Sequence, residues 1–319
     1  MRVAAVQLEP VLADVPANLE ACLGLADQAG ADGAEWIVLP EFFTTGVAFA
    51  PELAGAAVAP DGAATQLMLD LARRHGATVG GSFLCRDDDG HVRNAFLLVS
   101  ADGVLGRHDK DLPTMWENCF YVEGADDGVI DAGELQVGVA LCWELMRTQT
   151  ARRLRERVDL VVGGSCWWSV PPSPPVGVSR RLEAANARAA ANVTPAFARL
   201  VGAPVVHAAH CGRIACEMPW SPLPYRGHYE GAAMIADADG HVLTARAPRE
   251  GAGYVIADVT PGRSTSRDAL PDRFWLHPRG AVGAFSWSYQ RMHGRRWYRR
   301  HTFGRPPLEV EQPASSAAA

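Results

Sequence analysis

The segment VGVALCWE, residues 137–144, begins as an apolar run and ends at a cysteine followed by a tryptophan and a glutamate. Its first four residues are small or β-branched and the fifth is leucine, which predicts a short buried strand. Beyond Cys142, the residues Ala151, Leu154 and Val158 recur at helical spacing. The pattern predicts a strand-to-helix corner at Cys142, where the turn exposes the thiol and helix amides favour its thiolate form.

Strands and helices alternate on both sides of this corner, from the first residue to about residue 260. The opening RVAAVQL predicts a buried strand, and Leu19, Cys22, Leu23 and Ala26 then follow helical spacing. Such alternation is typical of an α/β protein in which helices cover sheet faces, so one large core is expected. The polar, non-periodic segment 106–128 is predicted to form loops. Further strands are predicted at residues 36–39, 77–85, 94–99, 160–162, 204–207, 232–236, 241–244 and 254–257, and further helices at 64–71 and 179–191.

The composition limits the classes of function. The chain has 319 residues, of which 48% are hydrophobic and 21% charged, as in globular proteins. Its 30 basic and 36 acidic side chains give a net charge of −6, which offers nucleic acids and anionic membranes no general attraction. The longest charge-free run, residues 160–179, contains four prolines and cannot form a membrane helix. We therefore expect no nucleic-acid or membrane partner.

Cysteine usage and the N-terminal residues indicate the compartment. Seven cysteines are spread along the chain without the dense spacing of a disulfide scaffold, which favours a reducing environment. Glu9 and Asp14 occur before any apolar stretch reaches the length of a signal peptide. A cytoplasmic protein is expected.

The C-terminal part of the chain differs from the α/β domain predicted for residues 1–260. Residues 261–305 contain ten arginines and several aromatic residues, a composition typical of protein interfaces. We predict an extended arm that packs on a partner subunit, in a homodimer or a larger homo-oligomer. RNA binding by the arm is the alternative. Residues 306–319, which end in PASSAAA, are predicted to be a disordered tail.

The single lysine is a candidate site residue. Of the 30 basic residues, 29 are arginine and only Lys110 is lysine. A solvated surface charge tolerates either residue, whereas a compact ammonium cannot be replaced by a planar guanidinium. The alternative is a surface lysine without a function.

Glu41 and Cys142 complete a set of three candidates. Glu41 follows the predicted strand at 36–39, where apolar neighbours would desolvate a general base, although a polar residue at a strand end is also common. Cys142 could likewise be a buried cysteine that packs as a small hydrophobic residue. Together with Lys110 they lie at or near strand ends, where open α/β sheets place their sites. A carboxylate base, a cysteine nucleophile and a fixed cation are sufficient for acyl transfer.

The three motifs LPE at Glu41, HDKDLPT at Lys110 and ALCWE at Cys142 resemble the Glu-Lys-Cys motifs of the nitrilase (carbon–nitrogen hydrolase) superfamily in order and spacing. The resemblance extends from residue 1 to about residue 260. It implies an αββα four-layered sandwich, in which helices flank two sheets and mediate dimerisation, and a hydrolase without a cofactor. It also implies a thioester intermediate, with Glu41 as general base, Lys110 as oxyanion stabiliser and Cys142 as nucleophile.

The resemblance assigns further residues in the loop after the lysine and at the nucleophile. Glu117 matches a second glutamate of the family and is expected to position Lys110 and the substrate, the alternative being a solvated loop carboxylate. The backbone N–H of Trp143 is the expected second oxyanion donor. An apolar substrate pocket is predicted to be lined by Trp116, Trp143, Trp167 and Trp168, although core packing explains the last two equally well.

The substrate is less well defined by the motifs. Amidase members of the family commonly have arginine four residues after the cysteine, whereas this chain has Met146 followed by Arg147. The PT..E and CWE motifs resemble the nitrile-cleaving branch, although the usual ending of that branch is absent. We expect hydrolysis of a small amide, with nitrile hydrolysis as the alternative. Two more functions fit the same residues, namely amide formation from the same thioester and ligand binding by a catalytically silent protein.

A cluster of histidine and cysteine residues needs separate consideration as a metal site. His207 lies on a predicted strand, and His210, Cys211 and Cys216 follow it. Side chains alternate between the two faces of a strand, and no paired Cys-x-x-Cys motif is present. We therefore predict no metal site and leave the role of the cluster open.

Overall fold

The computed structural model describes residues 1–172, 174–218, 221–266, 268–277 and 281–313. Its strands are β1 Arg2–Leu8, β2 Trp36–Val38, β3 Thr78–Arg86, β4 Val92–Ser100, β5 Gly103–Asp109, β6 Val129–Asp131, β7 Gln136–Val139, β8 Leu160–Ser165, β9 Val205–His210, β10 Arg213–Met218, β11 Ser221–His228, β12 Ala233–Ala236, β13 Val242–Arg246 and β14 Gly253–Asp258. Its helices are α1 Val15–Ala31, α2 Ala63–His75, α3 Thr148–Leu154, α4 Val176–Val201 and α5 Ala281–His301.

Twelve of the described strands form two six-stranded halves of a mixed sheet. One half has the order β14-β1-β2-β3-β4-β5 and the other β13-β12-β9-β8-β7-β6. The halves join where Gln7 and Leu8 at the end of β1 pair with Ala209 and His210 of β9. The inner strands β1, β2 and β3 are parallel, as are β7, β8 and β9.

Apolar side chains fill three layers. Residues from both halves pack between the two halves of the sheet, such as Val38, Phe96, Val139 and Val162. Helices α1 and α2 cover the outer face of one half, and α3 and α4 cover the other. The predicted αββα sandwich is thus confirmed. Among the described residues, no helix combines the length and apolar character needed to cross a membrane.

Three local sequence predictions were wrong. The first part of the segment 106–128 lies in β5, which pairs antiparallel with β4. This part of the edge strand lacks the apolar pattern of a buried strand, because Arg107 and Asp109 are charged and only partly buried. The hairpin of β10 and β11 was not predicted, and α4 extends well beyond residues 179–191 in both directions.

The C-terminal arm contains a helix and packs on its own chain. Thr148 N donates to Phe274 O at 3.1 Å, and Leu276 N donates to Met146 O at 2.9 Å, so the start of the arm pairs with the chain just beyond the cysteine. Helix α5 follows, where the sequence analysis expected extended chain. Within the predicted tail, Leu308 N donates to Ala57 O at 2.8 Å. Residues 314–319 lie outside the described residues.

Candidate active site

Glu41, Lys110 and Glu117 form a fully buried ion cluster. Lys110 Nζ lies 2.8 Å from Glu41 Oε1 and 2.8 Å from Glu117 Oε2, and none of the three side chains has exposed surface. Two carboxylates around one ammonium give the cluster a formal charge of −1 when all three are ionised. Removing charges from water is costly, so a buried cluster of this kind needs close pairing to persist.

Main-chain geometry brings Glu41 to the cluster. It follows β2 and the segment Leu39–Pro40, and its Oε2 accepts a hydrogen bond from Cys166 N at 3.0 Å. Gly164 of β8 allows this approach, because a Cβ there would lie 2.9 Å from Glu41 N. Asn94 Nδ2 also donates to Glu41 Oε1 at 2.9 Å. The carboxylate is thereby held on both oxygens.

Lys110 and Glu117 are positioned by the strand β5 and the loop that follows it. Lys110 N donates to Asn94 O at 3.0 Å, which continues the β4–β5 pairing by one residue. Thr114 N and Tyr121 Oη donate to Glu117 Oε2 at 2.8 and 2.5 Å. Glu117 Oε1 is buried and has no hydrogen-bond partner among the described residues.

Cys142 occupies the predicted corner in a left-handed backbone conformation. Its φ is +51°, an unusual value for a residue with a Cβ, and its surface is only 1% exposed. Glu144 braces the corner, since its carboxylate accepts from Leu141 N at 2.8 Å and from Asp111 N at 3.0 Å. Strain at this position is held by the surrounding hydrogen bonds.

The electrostatics of the site couple the thiol to the ion cluster. Burial raises the pKa of Cys142 well above its ordinary value, the Glu41 charge raises it further, and Lys110 opposes the shift. Burial lowers the pKa of Lys110, but Glu117 and Glu41 outweigh burial and raise it. Burial likewise raises the pKa of Glu117, while Lys110 opposes that shift. The sequence analysis expected helix amides to favour the thiolate, whereas burial and the neighbouring carboxylates favour the thiol.

Known proteins are similar to this chain in sequence and in fold. The sequence model for carbon-nitrogen hydrolases matches residues 2–267. The chain belongs to the carbon-nitrogen hydrolase family. It is 28% identical over 279 residues to an aliphatic nitrilase of Rhodococcus rhodochrous, covering 81% of this chain and 74% of the relative. It is 28% identical over 218 residues to omega-amidase YafV of Yersinia enterocolitica, covering 68% and 74% respectively. A solved amidase structure from Nesterenkonia sp. has a TM-score of 0.61 at 19% identity, covering 86% of this chain and 93% of the other.

The predicted tryptophans of this carbon-nitrogen hydrolase form two aromatic groups. Trp116 packs on Trp168 with ring centroids 4.5 Å apart, and Trp143 lies 6.1 Å from Trp167. Trp116, Trp143 and Trp167 are buried, and Trp168 is half-buried. Trp116 Nε1 is a buried donor without a hydrogen-bond partner among the described residues.

The arm adds two tryptophans that the sequence analysis did not assign to the site. Trp287 of α5 stacks on Trp143 at 5.7 Å with an interplanar angle of 8°, and Trp275 meets the same ring edge-on at 5.6 Å. Farther along α5, Gly294 permits close packing, because a Cβ there would lie 2.5 Å from the Asn118 side chain. The arm therefore contacts both the nucleophile corner and the loop of Glu117.

His207 and His210 do not converge with the two cysteines on a common centre. His207 Nε2 lies 3.0 Å from Ser165 Oγ, and His210 Nε2 lies 2.6 Å from Glu41 O. Burial lowers the pKa of each histidine to about 4, so both imidazoles are neutral near pH 7. His210 thus supports the main chain of Glu41.

A second buried charge cluster lies behind the corner. His108 of β5 contacts Asp126 Oδ1 at 2.5 Å and Glu144 Oε2 at 3.1 Å. Burial would lower the pKa of His108, but Glu144 and Asp126 outweigh it and raise that pKa to about 9. The protonated imidazole consequently neutralises Glu144, which braces Cys142. The sequence analysis missed this cluster because its members are separated by 18 and 36 residues.

The raised pKa of His108 predicts a pH-dependent stability. The contribution of protonated His108 to the free energy of unfolding is fully present below the unfolded pKa of about 6.5. It is lost as the pH rises through 9, and its maximum is about 3 kcal/mol. Between pH 6.5 and 9, the free energy of unfolding should decrease less in His108→Gln than in the wild type, as measured by urea titration. His207→Gln is the matched control, since its imidazole is already neutral in this range. Parallel pH profiles for wild type and His108→Gln would contradict the assignment.

Proposed function

We propose that this carbon-nitrogen hydrolase cleaves a small amide through a thioester on Cys142 and releases ammonia or an amine. The observation that carries the proposal is the buried Glu41–Lys110–Glu117 cluster whose charges act on the Cys142 thiol. Two neighbouring buried groups favour an amide. Trp116 Nε1 is a donor and Glu117 Oε1 an acceptor, and neither has a partner within the described protein. An amide carries the complementary carbonyl oxygen and N–H group.

The proposed mechanism begins with proton transfer. Glu41 accepts the thiol proton as the sulfur of Cys142 attacks the carbonyl carbon, which avoids a free thiolate in the acidic resting site. Negative charge develops on the carbonyl oxygen. Lys110 Nζ and the backbone N–H of Trp143 stabilise this charge. Glu41 then protonates the leaving nitrogen, and the C–N bond breaks to leave the thioester.

Water completes the cycle. Glu41, again a carboxylate, removes a proton from water as its oxygen attacks the thioester carbon. The tetrahedral intermediate breaks its C–S bond, and the proton on Glu41 returns to sulfur. The products are a carboxylic acid and the free thiol. Glu117 is a positioning residue in this scheme, because it holds Lys110 and orients the substrate N–H.

The aromatic walls suggest the character of the acyl group. Four tryptophans that we assign to substrate binding offer mainly apolar surface, namely Trp116, Trp143, Trp167 and Trp168. The arm adds Trp275 and Trp287 behind Trp143. Because apolar pockets gain affinity from burying apolar surface, hydrophobic amides should be preferred over charged ones.

Nitrile hydrolysis is the second candidate. It is favoured by the match to an aliphatic nitrilase over 81% of this chain. Addition of the thiol to the nitrile carbon would give a thioimidate, and water would then release ammonia to give the same thioester. The Glu41, Lys110 and Cys142 roles are unchanged in this reaction. The same thioester could instead pass its acyl group to an amine, and a protein that binds a ligand without turnover would show neither reaction.

An ammonia-release screen over aliphatic and aromatic amides, carbamoyl compounds and nitriles tests the proposal. We expect the amides to be hydrolysed, with little ammonia released from the matched nitriles. Predominant turnover of nitriles would favour the second candidate. Hydroxylamine added to the reaction should give a hydroxamate from the thioester, and absence of both ammonia and hydroxamate across the screen would contradict a hydrolase.

The Glu117→Gln variant should lower kcat about 10²-fold, because it removes one of the two anions that hold Lys110 and changes the acceptor offered to the substrate. Steady-state ammonia release measures the effect. Glu123→Gln is the matched control, as Glu123 is a partly exposed loop carboxylate paired with Arg295. A Glu117→Gln variant as active as this control would show that Glu117 has only a structural role.

We infer the cellular setting from the sequence. The cysteine pattern supports a reducing cytoplasm, and the arginine-rich and aromatic arm supports assembly into a homodimer or larger oligomer. No cofactor enters the proposed chemistry, because the carboxylate, ammonium and thiol supply the base, the oxyanion stabiliser and the nucleophile.

A further inference from the structure

Three potential metal ligands meet outside the candidate active site. Glu183 lies on α4, His228 ends β11, and Glu230 follows two residues later. His228 Nε2 lies 3.5 Å from Glu183 Oε1 and 3.8 Å from Glu230 Oε2, and one ligand atom from each residue falls within 4.8 Å of the others. Because Glu183 and His228 are 45 residues apart in the sequence, a search for short motifs does not find this cluster.

Glu230 is the unusual member of the cluster. Its side chain is 5% exposed, and its Oε1 accepts a hydrogen bond from Asn186 Nδ2 at 2.6 Å. Its Oε2 lies 3.8 Å from His228 Nε2, and its carboxyl group is in hydrogen-bond contact with the carboxyl group of Glu183. Two carboxylates in contact repel each other when both are ionised, so their contact is favourable only with a cation or a shared proton between them.

The surrounding arginines leave this negative charge uncompensated. Although 29 arginines occur in the sequence, none of those described lies within 4 Å of a Glu183 or Glu230 carboxylate oxygen. The two carboxyl groups are thus in contact with each other, and the imidazole of His228 lies beside both.

The donor set and its spacing match a divalent transition ion. Zinc binds imidazole nitrogen and carboxylate oxygen at about 2.0–2.2 Å, which places ligand atoms about 3.0–3.5 Å apart. The separations of 3.5 and 3.8 Å need only a small contraction, and the His228 side chain, 48% exposed, is free to adjust. We propose that Glu183, His228 and Glu230 bind one divalent ion of the zinc class.

The position of this site gives it a structural role. It would link α4 to the segment after β11, beside the wall of the candidate substrate pocket. Glu230 N donates to Trp167 O at 2.8 Å, and Asn186 Oδ1 accepts from Trp167 Nε1 at 2.9 Å. A bound ion would hold these contacts in place and would take no part in the chemistry at Cys142.

Metal binding by the untagged full-length protein tests the proposal, after dialysis against a chelator. The protein should bind one equivalent of Co²⁺ with weak visible d–d bands, as nitrogen and oxygen ligands give, and Zn²⁺ should displace it. His228→Ala and Glu230→Gln should each weaken Zn²⁺ binding at least about tenfold in calorimetry. Zn²⁺ should raise the melting temperature of the wild type more than that of either variant.

His241→Ala is the matched control, because His241 is an exposed imidazole paired with the single carboxylate of Asp237 at 3.0 Å. Its metal affinity should equal that of the wild type. The proposal is overturned if no saturable binding occurs up to about 1 mM metal. That result would indicate that the two carboxyl groups share a proton and bind no ion. Intense near-ultraviolet charge-transfer bands with Co²⁺ would also overturn it, because they indicate cysteine thiolate ligands. So would a Zn²⁺ affinity in both site variants equal to that of the wild type.

Discussion

Replacing Cys142 by alanine is expected to reduce turnover at least about 10⁴-fold, because the proposed thioester forms on the sulfur of this residue. The measurement is ammonia release with the best substrate of the screen, together with the mass of the intact protein after rapid acid quenching. The wild type should show an acyl adduct, and the variant should show none. The effect should appear in kcat and kcat/KM alike, since the covalent bond forms only along the reaction path.

Cys22→Ala is the matched control for this experiment. Cys22 is a fully buried free cysteine in the core around α1, and burial raises the pKa of its thiol as it does for Cys142. Its replacement should lower stability without abolishing turnover. Full activity in Cys142→Ala, or an adduct on that variant, would refute the assignment of the nucleophile.

Replacing Lys110 by arginine should reduce kcat about 10²–10³-fold while preserving the positive charge. The ammonium lies 2.8 Å from both Glu41 and Glu117 in a site without exposed surface, so a larger planar group displaces at least one carboxylate. The free energy of unfolding should also fall, because a buried ion cluster depends on close pairing. Steady-state kinetics and urea titration measure the two effects.

Arg93→Lys provides the reciprocal control. Arg93 makes ion pairs with Asp87 and Asp89 away from the candidate site, so exchanging the cation there should leave kcat unchanged. Lys110→Arg with wild-type kcat and a folded circular dichroism spectrum would show that charge alone is needed. It would also remove the argument that the single lysine is retained for its shape.

The sequence analysis correctly predicted the features that depend on neighbouring residues. Apolar runs and helical spacing revealed most strands and helices, and the position of Glu41 after such a run identified its location at a strand end. Lys110 stood out through composition alone. The second half of edge strand β5 was missed because Arg107, His108 and Asp109 are all polar, so this part of the strand resembles a loop.

Strand and helix periodicity thus predicted an α/β protein, and the motifs identified three candidate residues and a resemblance to a family that implied the αββα architecture, because periodicity and motifs are properties of short segments. Only the tertiary structure decided which distant groups meet: His108 with Glu144, Trp287 with Trp143, and Glu183 with Glu230. It also placed Cys142 where burial and Glu41 raise the pKa of its thiol. The physical reason is that charge pairing and desolvation depend on distance in space, and folding sets those distances through contacts that residue spacing does not encode.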